Sequence, residues 1–113
     1  MSILMVLKIL SAVATIVTGL LALVKPSAIY GFIGLNATDV RGVSEIRAIF
    51  GGLFIALGAA PLFLGSVAYQ VLGIGYLAIA VVRAFSIVFD KSYARSNIIS
   101  LGTEIVLGVI LVI

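Results

Sequence analysis

Four stretches of this chain, residues 3–24, 44–64, 67–89 and 96–113, stay apolar over the length a helix needs to cross a bilayer. The hydrocarbon core takes about 20 helical residues, and inside it every backbone N–H and C=O must be bonded within its own segment. Of 113 residues, 64% are hydrophobic and 10% charged, against roughly a quarter charged in soluble domains. The pattern predicts a single all-α domain, an integral membrane four-helix bundle of up-down topology with both termini on the same, outer side. Residues 26–42 form the one long connection, expected along the interface as a short half-buried helix or turn.

Charge sets the expected orientation. Lys25, Arg41, Lys91 and Arg95 fall in the first and third connections, whereas the Gly65-Ser66 hairpin and the end of the last span carry no basic residue. The positive-inside rule makes the basic side cytoplasmic, and the expected home is a bacterial inner membrane. The N-terminus is apolar from the start, with Lys8 placed late and the apolar run continuing to Val24, so a cleaved signal peptide is not expected.

With neither cysteine nor histidine, thiolate nucleophiles, imidazole bases, haem ligation and the usual zinc sites are excluded, and no metal or cofactor is expected. The net charge of +3 comes from scattered basic residues that make no stripe able to follow a phosphate backbone, so no nucleic-acid partner is expected. The partners to expect are the lipid bilayer, a second copy or another membrane protein, and a small polar ligand.

That ligand is suggested by Glu45, Arg47, Arg83 and Glu104, ionisable residues inside apolar spans. A charge at the centre of a membrane helix costs roughly 3 kcal/mol on insertion scales. At 1.5 Å per residue Arg83 lies about 10 Å from Asp90, Glu104 about 13 Å from Arg95, and Glu45 and Arg47 within about 8 Å of Gly42, all in one leaflet. Residues three, four or seven apart share a helix face. Tyr76, Ile79, Arg83, Ser86 and Asp90 align on the third span, Asn97, Ser100 and Glu104 on the fourth, and Lys8, Ser11, Thr15, Thr18, Ala22 and Lys25 on the first. The candidate cluster is therefore Glu45, Arg47, Arg83 and Glu104, supported by Thr18, Tyr76, Ser86, Asp90, Asn97 and Ser100. In the second span Ser44, Ala48, Gly52, Ala56 and Ala60 recur every four residues, a ridge of small side chains suited to close helix contact. Tyr69 and Tyr93 suit interfacial anchors.

Arg47-Ala48-Ile49-Phe50-Gly51-Gly52, Arg83, Asp90, Glu104 and the 26–35 segment ending in Gly34-Leu35 together resemble small bacterial membrane proteins of the domain-of-unknown-function family numbered 4345. The resemblance covers nearly the whole chain. It implies four membrane helices, a distant similarity to the DoxX-like group and no assigned activity. It also implies a glycine after the aspartate, where this chain has Lys91.

Two accounts of the charges follow. In one they form an ion-pair network that fixes helix register, such as Arg83 bridged between Glu104 and Glu45, and the protein is a structural or accessory subunit. In the other the cluster lines a cavity that binds or translocates a small polar or ionic solute. A third reading, an enzyme acting on a lipid or quinone, rests on the DoxX-like analogy and would need Glu45, Glu104 or Tyr76 as acid and base. A small multidrug-transporter reading is disfavoured because the first span has no carboxylate.

Overall fold

A computed structural model describes all residues, Met1–Ile113. Its helices long and apolar enough to cross a membrane are four: α1 Ile3–Val24, α2 Val40–Leu64, α3 Ser66–Phe89 and α4 Arg95–Val112. There are no strands.

Local chemistry explains most boundaries. The Ser2 side chain accepts from the Met5 N–H and starts α1; Asp39 does the same for Gly42 and starts α2. Pro26, fixed in φ and lacking an N–H, follows the end of α1 and opens a 3₁₀ turn, Pro26–Ile29. A single α turn, Tyr30–Ile33, is closed by Gly34 in the left-handed conformation. The segment between α1 and α2 is thus part helical, and it is anchored by buried Pro26 and Ile29. Between α2 and α3 stands only Gly65, at φ 83° and ψ −149°, a region that side chains exclude.

The turn after α3 settles the question raised by Lys91. Its φ is +54°, and the Ser92 N–H donates to the Ile87 carbonyl at 3.2 Å. That is a helix stop of the Schellman type, with a left-handed residue at the position glycine prefers. The turn keeps its shape despite the lysine. Relieving the Cβ strain should make Lys91→Gly more stable by about 0.5–1 kcal/mol in detergent unfolding, and a loss of stability would refute this account of the turn.

The helices pack in neighbouring pairs, α1 on α2 and α3 on α4, with lesser contacts between α2 and α3 and between α1 and α4. Two small apolar clusters close the ends of the bundle: Ala12, Tyr69, Leu72 and Leu111 at one, Ala22, Ile29 and Ile46 at the other. Most large apolar side chains lie on the outside. In water that would be an aggregating surface; facing lipid tails it is the expected one. The chain is a small multi-pass membrane protein.

Two expectations need correction. Tyr69 is no interfacial anchor: it is 5% exposed, enclosed by Ala12 and Leu111, whose smaller side chains leave room for the ring. Nor does the ridge through Ala48, Gly52 and Ala56 pack, since all three are exposed. Contact with α1 runs instead through Ile46, Gly51, Ile55 and Gly58. The reason is a π-helical stretch, Ile46–Leu53, which widens the turn so that residues five apart share a face. Ile46 and Gly51 are one such turn apart, and Gly58 follows two ordinary α turns later. A four-residue rhythm could not anticipate the offset.

Candidate functional site

Arg83 on α3 and Glu104 on α4 meet inside the bundle. The guanidinium grips the carboxylate with two bonds, Nε to Oε1 at 2.8 Å and Nη2 to Oε2 at 2.7 Å. This forked geometry is the strongest arrangement open to such a pair. The side chains are 30% and 11% exposed, so the carboxylate is the more deeply enclosed partner.

The pair is held by a chain of bonds leading back to the α3–α4 turn. Arg83 Nη1 donates to Asn97 Oδ1 at 2.8 Å, and Asn97 Nδ2 donates to both the carbonyl and the hydroxyl oxygen of Ser92 at 3.0 Å. The left-handed Lys91 places Ser92, Ser92 orients the Asn97 amide, and the amide leaves its oxygen for the arginine. The turn thereby sets the guanidinium plane.

A second chain begins at Tyr76, whose hydroxyl meets Thr15 Oγ1 across the α1–α3 contact. Thr15 donates its own hydrogen to the Ser11 carbonyl at 2.9 Å, so Tyr76 must be the donor in that bond. Tyr76 therefore directs its proton to α1 instead of to the ion pair. Its oxygen lone pairs remain available as acceptors.

Arg83, Glu104 and Asn97 are thus brought together, with Ser100 buried one turn from Glu104 on the same face. Glu45 is not among them. It pairs with Arg41 at 2.8 Å, the two side chains being 56% and 73% exposed, so the bridge from Arg83 to Glu45 is absent. The physical cause is their i,i+4 spacing in the first turns of α2, which satisfies Glu45 locally. At such exposure the pair contributes at most about 1 kcal/mol. Arg47 is exposed and bonded to no side chain. Asp90, also exposed, accepts from Ser86 Oγ at 2.7 Å. Thr18 is exposed and donates to the Ala14 carbonyl at 2.9 Å.

Two voids flank the ion pair on different sides. Arg83, Ser86 and Asn97 line an open groove of about 520 Å³. Glu104, Tyr76, Ser100, Thr18 and Thr103, with Phe32 and Phe54, line a smaller cavity of about 180 Å³. The arginine fronts the first void and the glutamate the second. The pair is consequently a fixed dipole, positive toward the groove and negative toward the cavity. Sequence reasoning did not identify Thr103, Phe32, Phe54 or Ser92 as part of this region. Thr103 lies one helical step from Ser100, a usable signal; Phe32 and Phe54 arrive from other elements and left none.

No curated protein and no solved structure matches the chain. A family model described as a domain of unknown function, DUF4345, matches residues 3–113. With this match along nearly its whole length, the chain belongs to the DUF4345 family.

Proposed function

We propose that this protein is an up-down four-helix bundle of the bacterial inner membrane, with both termini outside, that binds or translocates a small polar or ionic solute at the Arg83–Glu104 pair. One observation carries the reading. Each ion of the pair fronts a different void, the groove on the Arg83 side and the cavity on the Glu104 side. A pair serving register alone has no need of space on both flanks, and ionisable groups inside membrane helices commonly mark solute or proton paths. Arg83 would hold an anionic group and Glu104 a cationic or hydrogen-bond-donating one.

Arg47 fits the same orientation. At 1.5 Å per residue α2 is about 37 Å long, longer than the ~30 Å hydrocarbon core, so its first turns can reach the basic, cytoplasmic interface. There Arg47 snorkels from the lipid-facing side. The wide apolar exterior is consistent with a second copy or another membrane protein as neighbour.

A structural or accessory role is the rival reading, favoured by one finding: every fully enclosed side-chain nitrogen or oxygen has a hydrogen-bond partner without any ligand. The two are separated by thermal stabilisation of the purified protein with a panel of small carboxylates, phosphates and primary amines. Wild type is compared with Asn97→Ala on the groove side and Ser100→Ala on the cavity side, both of which keep the Arg83 and Glu104 side chains themselves. Solute binding predicts that at least one class stabilises wild type and loses most of that effect in one variant. If no solute separates wild type from the variants, the structural reading stands.

A further inference from the structure

The cavity beside Glu104 has a hydrogen-bonding character that follows from where its neighbours' protons go. Thr18 and Thr103 donate their hydroxyl hydrogens to the Ala14 and Ile99 carbonyls of their own helices. Tyr76 gives its proton to Thr15, whose own proton is committed to Ser11. Each of these oxygens can then only accept. The Glu104 carboxylate is acceptor-only as well, and two bonds from Arg83 leave part of its lone-pair capacity open.

Ser100 stands apart. It is 8% exposed, lines the same cavity and forms no hydrogen bond, and since no fully enclosed polar atom is without a partner its hydroxyl keeps some accessible surface. Its hydroxyl can donate one hydrogen bond and accept others, whereas the oxygens of Thr18, Thr103, Tyr76 and Glu104 beside it can only accept, so the lining as a whole favours a ligand that brings donors. The negative end of the ion-pair dipole faces the same space, and Phe32, Phe54 and Tyr76 supply aromatic rings. Such rings attract cations through their faces.

A second, almost wholly apolar void of about 190 Å³ shares Phe54 and Tyr76 with this cavity and is completed by Thr15, Leu57, Val71, Leu72, Gly75 and Ile79. Together the two voids fall within the lower part of the ~300–1,000 Å³ range usual for small-molecule sites. They differ sharply in polarity.

We infer that this pair of chambers is a site for a small amphipathic primary amine, its ammonium group among Glu104, Ser100 and Tyr76 and its apolar tail beyond Phe54. This assignment rests on the proposed solute-binding role and specifies its ligand: donor-headed and cationic, bound on the Glu104 side and not in the Arg83 groove. A carboxylate or phosphate head would meet lone pairs on nearly every wall and the wrong end of the dipole. A neutral alcohol of the same length satisfies one acceptor but gains nothing from the dipole or the rings.

The test uses the full chain in zwitterionic detergent, with n-hexylammonium, n-hexanol and n-hexanoate as probes and thermal unfolding as the readout. Hexylammonium should stabilise wild type with an apparent affinity at least about tenfold tighter than hexanoate, with hexanol between them. Thr18→Leu fills the cavity while leaving the Arg83–Glu104 pair and the groove intact, and it should abolish the amine response. Glu104→Gln should weaken it too, but because that change leaves Arg83 without its counter-ion, Thr18→Leu is the deciding variant. An equal amine response in Thr18→Leu overturns the assignment. So does a preference for hexanoate; if that preference is lost in Asn97→Ala, solute binding survives in the groove while the amine site falls. No stabilisation by any of the three probes overturns the amine site and counts against the wider proposal.

Discussion

Arg83→Ala is expected to cost about 3–5 kcal/mol of stability, because it strips both bonds from a carboxylate that stays enclosed. Glu104 is 11% exposed, and Arg83 supplies both of its hydrogen bonds from within the protein. Glu104→Ala should fall in the same range, since the guanidinium would keep only Asn97 as a partner. The double replacement Arg83→Met with Glu104→Leu behaves differently. With both charges gone the desolvation cost goes too, and apolar side chains in their place should return stability to within about 1 kcal/mol of wild type. Unfolding of these proteins in the same micelles, with the single variants Arg83→Met and Glu104→Leu added, closes the cycle. Single variants that unfold within about 0.5 kcal/mol of wild type would mean that the pair is solvated and that the site has been misread. A double variant that is stable but no longer bound by any solute would assign the charges to function, because folding would have been shown to manage without them.

Gly58→Ala should be the most damaging of the small changes along α2, at roughly 1–3 kcal/mol for overpacking. An added Cβ there would come within 2.8 Å of both the Ala12 carbonyl oxygen and Ile16 Cγ1, and 3.0 Å from the Ile16 nitrogen. Two of those atoms belong to the α1 backbone, so the helices themselves must separate. Gly52→Ala supplies the contrast. Its nearest atom is the Arg47 carbonyl oxygen of its own helix, 4.0 Å away, so the change should be neutral or stabilising by up to about 1 kcal/mol through helix propensity. Melting temperatures of the two variants decide which glycine face meets α1. Equal losses at both positions would contradict the packing described for α2.

Hydropathy alone made the four helices legible, and helix periodicity placed Asn97, Ser100 and Glu104 on one face of α4. What it could not supply was pairing between elements. Glu45 looked like a member of the buried cluster because it lies near the apolar run, but Arg41 stands four residues before it and satisfies it locally. That spacing was readable and outweighed by the attraction of the neighbouring span. Gly51 and Gly58 were hidden for a different reason: the wide turn at Ile46–Leu53 depends on tertiary fit, and no propensity in Arg47-Ala48-Ile49-Phe50 announces it. The cavity was equally unreadable, since Phe32 and Phe54 reach it from the connection and from α2. The family resemblance singled out position 91 by implying a glycine there, but with a lysine in its place the shape of the turn was not legible, and the left-handed backbone of Lys91 emerged only with the structure.

The widened stretch of α2 also bears on how this sequence can change length. Across Ile46–Leu53 the backbone bonds five residues apart where an α-helix bonds four apart, so each wide turn holds more chain than an α-helical one. Losing one residue there would let the coil tighten while both flanks keep their facing, so a deletion that would wreck the alignment of α1, α3 or α4 has a place in α2 where it does least harm.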